Sequence, residues 1–193
     1  MGFNNNGYGR RTGLRIPTVS NTVVSVTGTT EPVTLEEAKN YLRINNTQDD
    51  TLITSLITNA RTDAERYLNS DILAKQRRTH LTYFTEPVNL YYAPIATVDG
   101  VTAEGTALTL NSEYTVEGLD NPLVDLENQF AEDVQITYTT AGITSLAEVA
   151  NDSIKFGVLA LIAWKYYGRT DKVMTNWKAW LAPYKQWGFY GQR

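Results

Sequence analysis

The sequence contains no cysteine, which excludes a disulfide-stapled scaffold and any thiolate metal site. It contains one histidine, His80, so a Ser-His-Asp triad or a histidine-rich metal site has almost nothing to be built from. No Gly-x-Ser-x-Gly elbow presents a serine, and no Gly-x-x-x-x-Gly-Lys loop offers a cradle for phosphates. Residues 1–15 are Asn, Gly and Arg without an apolar centre, which is not the pattern of a secretory leader. The longest apolar run, Phe156 to Trp164, is far shorter than the ~20 residues needed to span a bilayer, so it reads as a buried helix. Asp49-Asp50 and Glu36-Glu37 fall short of an oxygen cage for a cation and read as helix-start acids. His80 falls in a run with strand character and reads as an ordinary strand residue. No catalytic residue, cofactor site or metal site is expected.

What is present is a folded composition, 42% hydrophobic and 20% charged, over 193 residues. That length suits one domain with appendages or two very small ones. The net charge of −4 is unevenly spread. Residues 1–30 carry +3 from Arg10, Arg11 and Arg15, residues 165–193 carry +5, and the middle carries −12. An acidic body with basic ends makes a poor general binder of nucleic acid, because such binding rests on neutralised phosphates. It favours oriented contacts between protein neighbours instead.

Residues 1–30, rich in Asn, Gly, Thr and Arg, read as a flexible N-terminal arm, with a short strand near Thr22–Thr27 that needs a partner in the body or a neighbour. Residues 31–170 read as the main domain. Thr34 with Glu37 forms a capping-box pattern, and Leu35, Ala38 and Leu42 share a face, predicting a helix over about 34–43. Leu52, Ile53, Leu56, Ile57, Ala60, Ala64, Tyr67 and Leu68 form an amphipathic stripe over about 51–68. Between 76 and 140, short alternating runs are broken by Asp99-Gly100, Glu104-Gly105, Asn111-Ser112, Gly118 and Asn121-Pro122, which predicts a β-rich region. A third helix, capped near Asn151-Asp152 and apolar nearly all round, is expected over 153–167, ended by Gly168.

Residues 171–193 form a C-terminal tail. Trp177, Trp180, Leu181, Tyr184 and Trp187 recur at helical spacing, but Pro183 forbids an undisturbed helix, which either stops near Ala182 or restarts at Pro183. Three uses of these aromatics stay open: packing on their own domain, a protein interface, or stacking on single-stranded bases with Lys178 and Lys185. The acidic body makes the last the weakest.

The run Pro32-Val33-Thr34-Leu35-Glu36-Glu37-Ala38-Lys39-Asn40-Tyr41-Leu42-Arg43 resembles the opening of phage gp6-like head-tail connector proteins. The acidic spacer Asp49-Asp50, the stripe after it, Glu65 and Tyr67, the later Tyr138-Thr139-Thr140-Ala141-Gly142, and the apolar helix ending at Tyr167 and Arg169 continue the series. This resemblance implies an α+β, mainly α fold: a small helical bundle with an inserted β-rich region and extended N- and C-terminal arms. It implies a non-enzymatic virion protein of the neck, formed in the host cytoplasm during assembly, that docks as a ring beneath the portal protein. Twelve-fold symmetry, stopper or tail proteins as further partners, and DNA passing through without specific binding belong to the same expectation, with no membrane partner. Trp177, Trp180, Tyr184, Trp187 and Arg193 are the residues expected to dock on the portal. A stopper or tail-completion protein, or a small non-viral binding module using the Trp-rich tail, are the competing readings.

Overall fold

A computed structural model describes residues 18–118, 121–128, 130–142, 148–168 and 176–185, with the side chains of 148–151 excepted. The helix-forming segments sit at the two ends of the chain and the strands between and before them, yet both sets close into contiguous layers.

Helix α1 spans Leu35–Leu42. Its capping box is formed: Glu37 N–H donates to Thr34 Oγ1 at 3.2 Å, and Thr34 N–H donates to Glu37 Oε2 at 2.9 Å. Arg43, at φ 57°, turns the chain out of the helix. Helix α2 spans Asp50–Leu68 and is closed by Asn69 in the left-handed region at φ 52°. Neither Asp49 nor a neighbour caps α2 through its side chain. The two acids reach sideways instead, Asp49 accepting from Tyr166 Oη and Asp50 pairing with Lys39 at 2.7 Å. Helix α3 spans Glu148–Tyr167, starting earlier than the Asn151-Asp152 cap suggests; those two residues lie inside it, and Asp152 is exposed. Gly168 N–H donates to Trp164 O at 2.8 Å and ends it. Helix α4 is the short Trp177–Leu181, followed by a 3-10 turn over Ala182–Tyr184, so the helix stops just before Ala182.

The β layer holds β1 (Val19–Val26), β2 (Lys75–Tyr83), β3 (Val88–Asn89), β4 (Ile95–Ala103), β5 (Thr106–Ala107), β6 (Tyr114–Glu117), β7 (Leu123–Leu126) and β8 (Glu132–Thr140). One sheet has the order β1-β2-β8-β4-β5 and the other β3-β7-β6, and every named pairing is antiparallel. Within the segment read as an arm, Val19–Val26 is thus a sheet strand, with Val19 opposite Leu81 and Val26 opposite Lys75.

The expectation of a mainly α bundle is corrected here. Helix and strand take about equal shares, and the strands own a separate core. Phe84, Val124, Val134, Ile136 and Tyr138 are fully buried in it, while the helical layer closes around Ile53, Ala60, Leu68, Val158, Ile162 and Leu181. The region 76–140, set between α2 and α3 in the chain, supplies enough alternating strands to bury two inner faces and forms a layer of its own.

A buried charge cluster joins the layers. Glu65, at the end of α2, accepts from the N–H groups of Ile72 and Leu73 and from Lys75 Nζ at 2.6 Å. Asp71, fully buried, takes two bonds from Arg77 at 2.6 Å each, one from Lys75 at 3.0 Å and one from Thr140 Oγ1 at 3.1 Å. Arg77 also donates to Asn21 of β1, and its guanidinium lies 3.4 Å from the Tyr92 ring centroid. Burial alone would lower the Arg77 pKa, but the bond to Asp71 and its charge outweigh burial, and the net shift is upward. Asn21 in turn donates to Tyr138 Oη at 2.6 Å, and burial is the chief reason the Tyr138 phenol pKa is raised. Each charge has an opposite partner, which is the condition for tolerating charges in so dry a place.

Candidate docking interface

The aromatic residues of the C-terminal segment divide into two groups. Leu181 anchors α4: it is completely buried against α3, where Gly157 makes room for it. A Cβ on Gly157 would come within 2.5 Å of Leu181 Cδ2. This anchor fixes which way the rings on either side of Leu181 face. Trp177 and Tyr184 are partly buried on the helical core. The Trp177 ring meets Tyr67 of α2 edge-on, with centroids 5.4 Å apart at 72°. Lys185 Nζ lies 5.0 Å from the Tyr67 ring centroid and Lys178 Nζ 5.7 Å, so two cations flank one aromatic face.

Trp180 faces outward. It is 53% exposed and rests against Phe156 of α3, itself 49% exposed, with centroids 5.8 Å apart. Trp164, two turns further along α3, is 45% exposed. Three large rings thus stand on the solvent side of the helical layer, each about half exposed, so covering each would bury about half of the 150–250 Å² that such side chains can bury. Trp187 and Arg193 lie outside the described residues. The sequence signal for Phe156 and Trp164 was the all-round apolarity of α3, since a helix on the outside of a two-layer fold cannot bury every face.

The remaining candidate groups have local roles. His80 Nε2 lies 2.7 Å from Asp133 Oδ1 in an exposed pair on the sheet, with no serine in the contact. Glu36 lines an open surface pocket of about 390 Å³ with Leu35, Lys39, Asn40, Ile44 and Asn45. Glu37 is held below the usual carboxylate range, first by its bond from Lys155 and then by the Thr34 N–H. Among the described residues no three His, Cys, Asp or Glu side chains gather as a metal site, and no helix is long and apolar enough to cross a membrane.

Three solved chains share this fold. One comes from the neck of an empty gene transfer agent particle computed with C6 symmetry, 18% identical, with a TM-score of 0.65 over 90% of this chain and 99% of that one. A second, from the virion of a native gene transfer agent particle, is 18% identical with a TM-score of 0.65 over 89% and 98%. A third, from the neck of a native particle computed with C12 symmetry, is 18% identical with a TM-score of 0.64 over 90% and 99%. No curated protein matches the chain. In sequence, the stretch from Pro32 through α1, α2 and the strands up to Ala107 agrees with the resemblance read from its opening motif: residues 32–107 match the model of the phage gp6-like head-tail connector protein family.

Proposed function

We propose that this chain is a structural protein of a phage-type neck, a head-tail adaptor that forms a ring beneath the portal protein and seats the stopper or tail proteins. The observation that carries the reading is the family match over residues 32–107, joined to a fold shared with neck chains over nine-tenths of this chain's length. A twelve-fold ring follows the portal expected above it, and the C12 symmetry used for one of the similar necks supports that number. The site of action is the virion neck, reached after assembly in the host cytoplasm.

The exposed rings support a docking role. Trp180, with Phe156 and Trp164 beside it, gives a desolvatable anchor of the kind that dominates protein interfaces. Trp177 and Tyr184 hold that anchor in place, and Trp187 and Arg193 of the same C-terminal segment belong to the proposed docking set. The acidic middle of the chain repels phosphate, which lets DNA pass a ring without being held. Nothing in this role needs a cofactor or a catalytic group.

Disabling the gene and imaging the particles by electron microscopy tests the reading. DNA-filled or leaking heads without tails are the expected result; normal tailed particles would remove the protein from the neck.

A further inference from the structure

Among the described residues, the five-stranded sheet ends in two open edges. β1 pairs only with β2. β4 pairs with β8 on one side and, on the other, only with the two-residue β5 at Thr102 and Ala103. Among the described residues, no strand covers the outer side of Val19–Val26 or of residues 95–100. β1 carries no charge and no proline, and Val23, Val24 and Val26 are 47%, 45% and 56% exposed. An eight-residue edge with three exposed valines is a template for another strand, and soluble monomers guard such edges with lysine, proline or bulges. β1 has only the bulge, between Val23 and Ser25.

The second edge is open over residues 95–100, where β4 has register shifts against β8 between Ile95 and Thr97 and between Val98 and Gly100. Ala96, Thr97 and Asp99 are exposed, and Gly100 lies in mid-strand. A Cβ placed on Gly100 would meet nothing within 4 Å. Gly100 sits at the second of these register shifts, a place where glycine inside a strand is common. The directions also agree. β1 runs opposite to β2, β2 opposite to β8 and β8 opposite to β4, so β4 runs opposite to β1. A neighbouring copy in the same orientation therefore brings its β1 antiparallel to this β4, with no turning of either subunit. Two different patches meeting in that way form a head-to-tail contact, the type that closes into a ring.

Charge adds an independent argument. Residues 79–154 contain twelve acids and no lysine or arginine. The segment before β1, residues 1–17, contains Arg10, Arg11 and Arg15 and no acid. Antiparallel pairing places the start of one copy's β1 beside the end of the other's β4. There Glu104 follows the strand, its N–H donating to Glu132 O at 3.2 Å, and Asp133 is next in β8.

We propose that β1 of one copy pairs antiparallel with the outer edge of β4 of the next, so that the sheet runs on from copy to copy. The number of copies rests on the ring reading above; the pairing does not.

The backbone of β1 indicates where to intervene. Thr82 N–H donates to Thr18 O, so by alternation Thr18, Ser20 and Thr22 turn their backbone groups toward β2, and Val19, Asn21 and Val23 turn theirs outward. Because the chain has no cysteine, introduced pairs report cleanly. Val23→Cys is combined in turn with Ala96→Cys, Thr97→Cys and Val98→Cys in the full chain, oxidised at high concentration and run on non-reducing gels. Paired antiparallel residues have Cα atoms ~4.5–5.5 Å apart, within the range a disulfide spans. One combination is expected to give a ladder of dimers and higher species well above a Val23→Cys/Phe156→Cys control. Adding Val19→Pro, which removes a backbone N–H that faces away from β2 and so leaves the β1–β2 bonds and the melting temperature in place, is expected to weaken that ladder severely. No combination exceeding the control, or a ladder indifferent to Val19→Pro in a folded variant, would overturn the pairing. The gel reports edge pairing whether or not the protein sits in a neck. Normal tailed particles after gene disruption would remove the neck role while leaving a ladder in place.

Discussion

Replacing Asp71 by Asn keeps the shape of the side chain and removes one charge from the driest part of the junction between the layers. The two Asp71 oxygens take four donors, two from Arg77 and one each from Lys75 and Thr140. Asn leaves Arg77 buried without a counter-charge and turns an amide NH₂ toward N–H groups. Lys75 keeps Glu65 at 2.6 Å, so only one cation is stranded. Breaking a buried pair in this way costs about 3–5 kcal/mol, and the retained Lys75–Glu65 pair argues for about 3. With a urea slope near 2 kcal/mol per molar, the unfolding midpoint should fall by about 1.5 M. Circular dichroism against urea reads this directly. Adding Arg77→Met to Asp71→Asn removes the stranded cation and should recover part of the loss, the remainder being the lost contacts with Asn21 and Tyr92. A midpoint shift below about 0.5 M for the single variant, on the same slope, would refute the charge argument. So would a double variant no more stable than the single one.

Leu181→Ala should cost about 2–5 kcal/mol and release α4, read as a lower melting temperature and a red shift of tryptophan emission. Trp180→Ala, at a half-exposed position, should change stability by less than about 1 kcal/mol yet weaken capture by purified portal protein; undiminished capture would take Trp180 out of the docking surface. Gly142→Ala should be strongly destabilising, because the residue sits at φ 72° and its Cβ would meet Ala74 N at 2.7 Å. Glu37 has a folded pKa below its unfolded one, so its contribution is present above the ordinary glutamate pKa of ~4.3 and lost as pH falls through the lower folded value. Both Glu37 and Lys155 are over a third exposed, which limits the effect to about 1 kcal/mol or less, and Glu37→Gln should flatten the stability–pH curve in that acid window.

The sequence by itself determined the local elements. The capping box at Thr34 and Glu37, the stripe from Leu52 to Leu68 and most turn signals between 76 and 140 act over a few residues and produced the helix or turn expected of them; Asp99-Gly100, read as a turn, lies inside β4 instead. It also located the aromatic cluster at Trp177, Trp180 and Tyr184, and it showed that the middle of the chain is acidic. Tertiary structure decided the rest, because the remaining questions turn on partners far away in the chain. That the strands form a layer equal to the helices depends on Lys75–Tyr83 meeting Glu132–Thr140 and Val19–Val26, long-range pairings that no local pattern encodes. The buried cluster at Glu65, Asp71, Lys75 and Arg77 reads in sequence as ordinary surface charge, and only the approach of α2 to the sheet makes it dry. The division of labour among the tryptophans was set in the same way. Leu181 found its place against Gly157, and that single contact turned Trp177 inward onto Tyr67 and left Trp180 facing solvent.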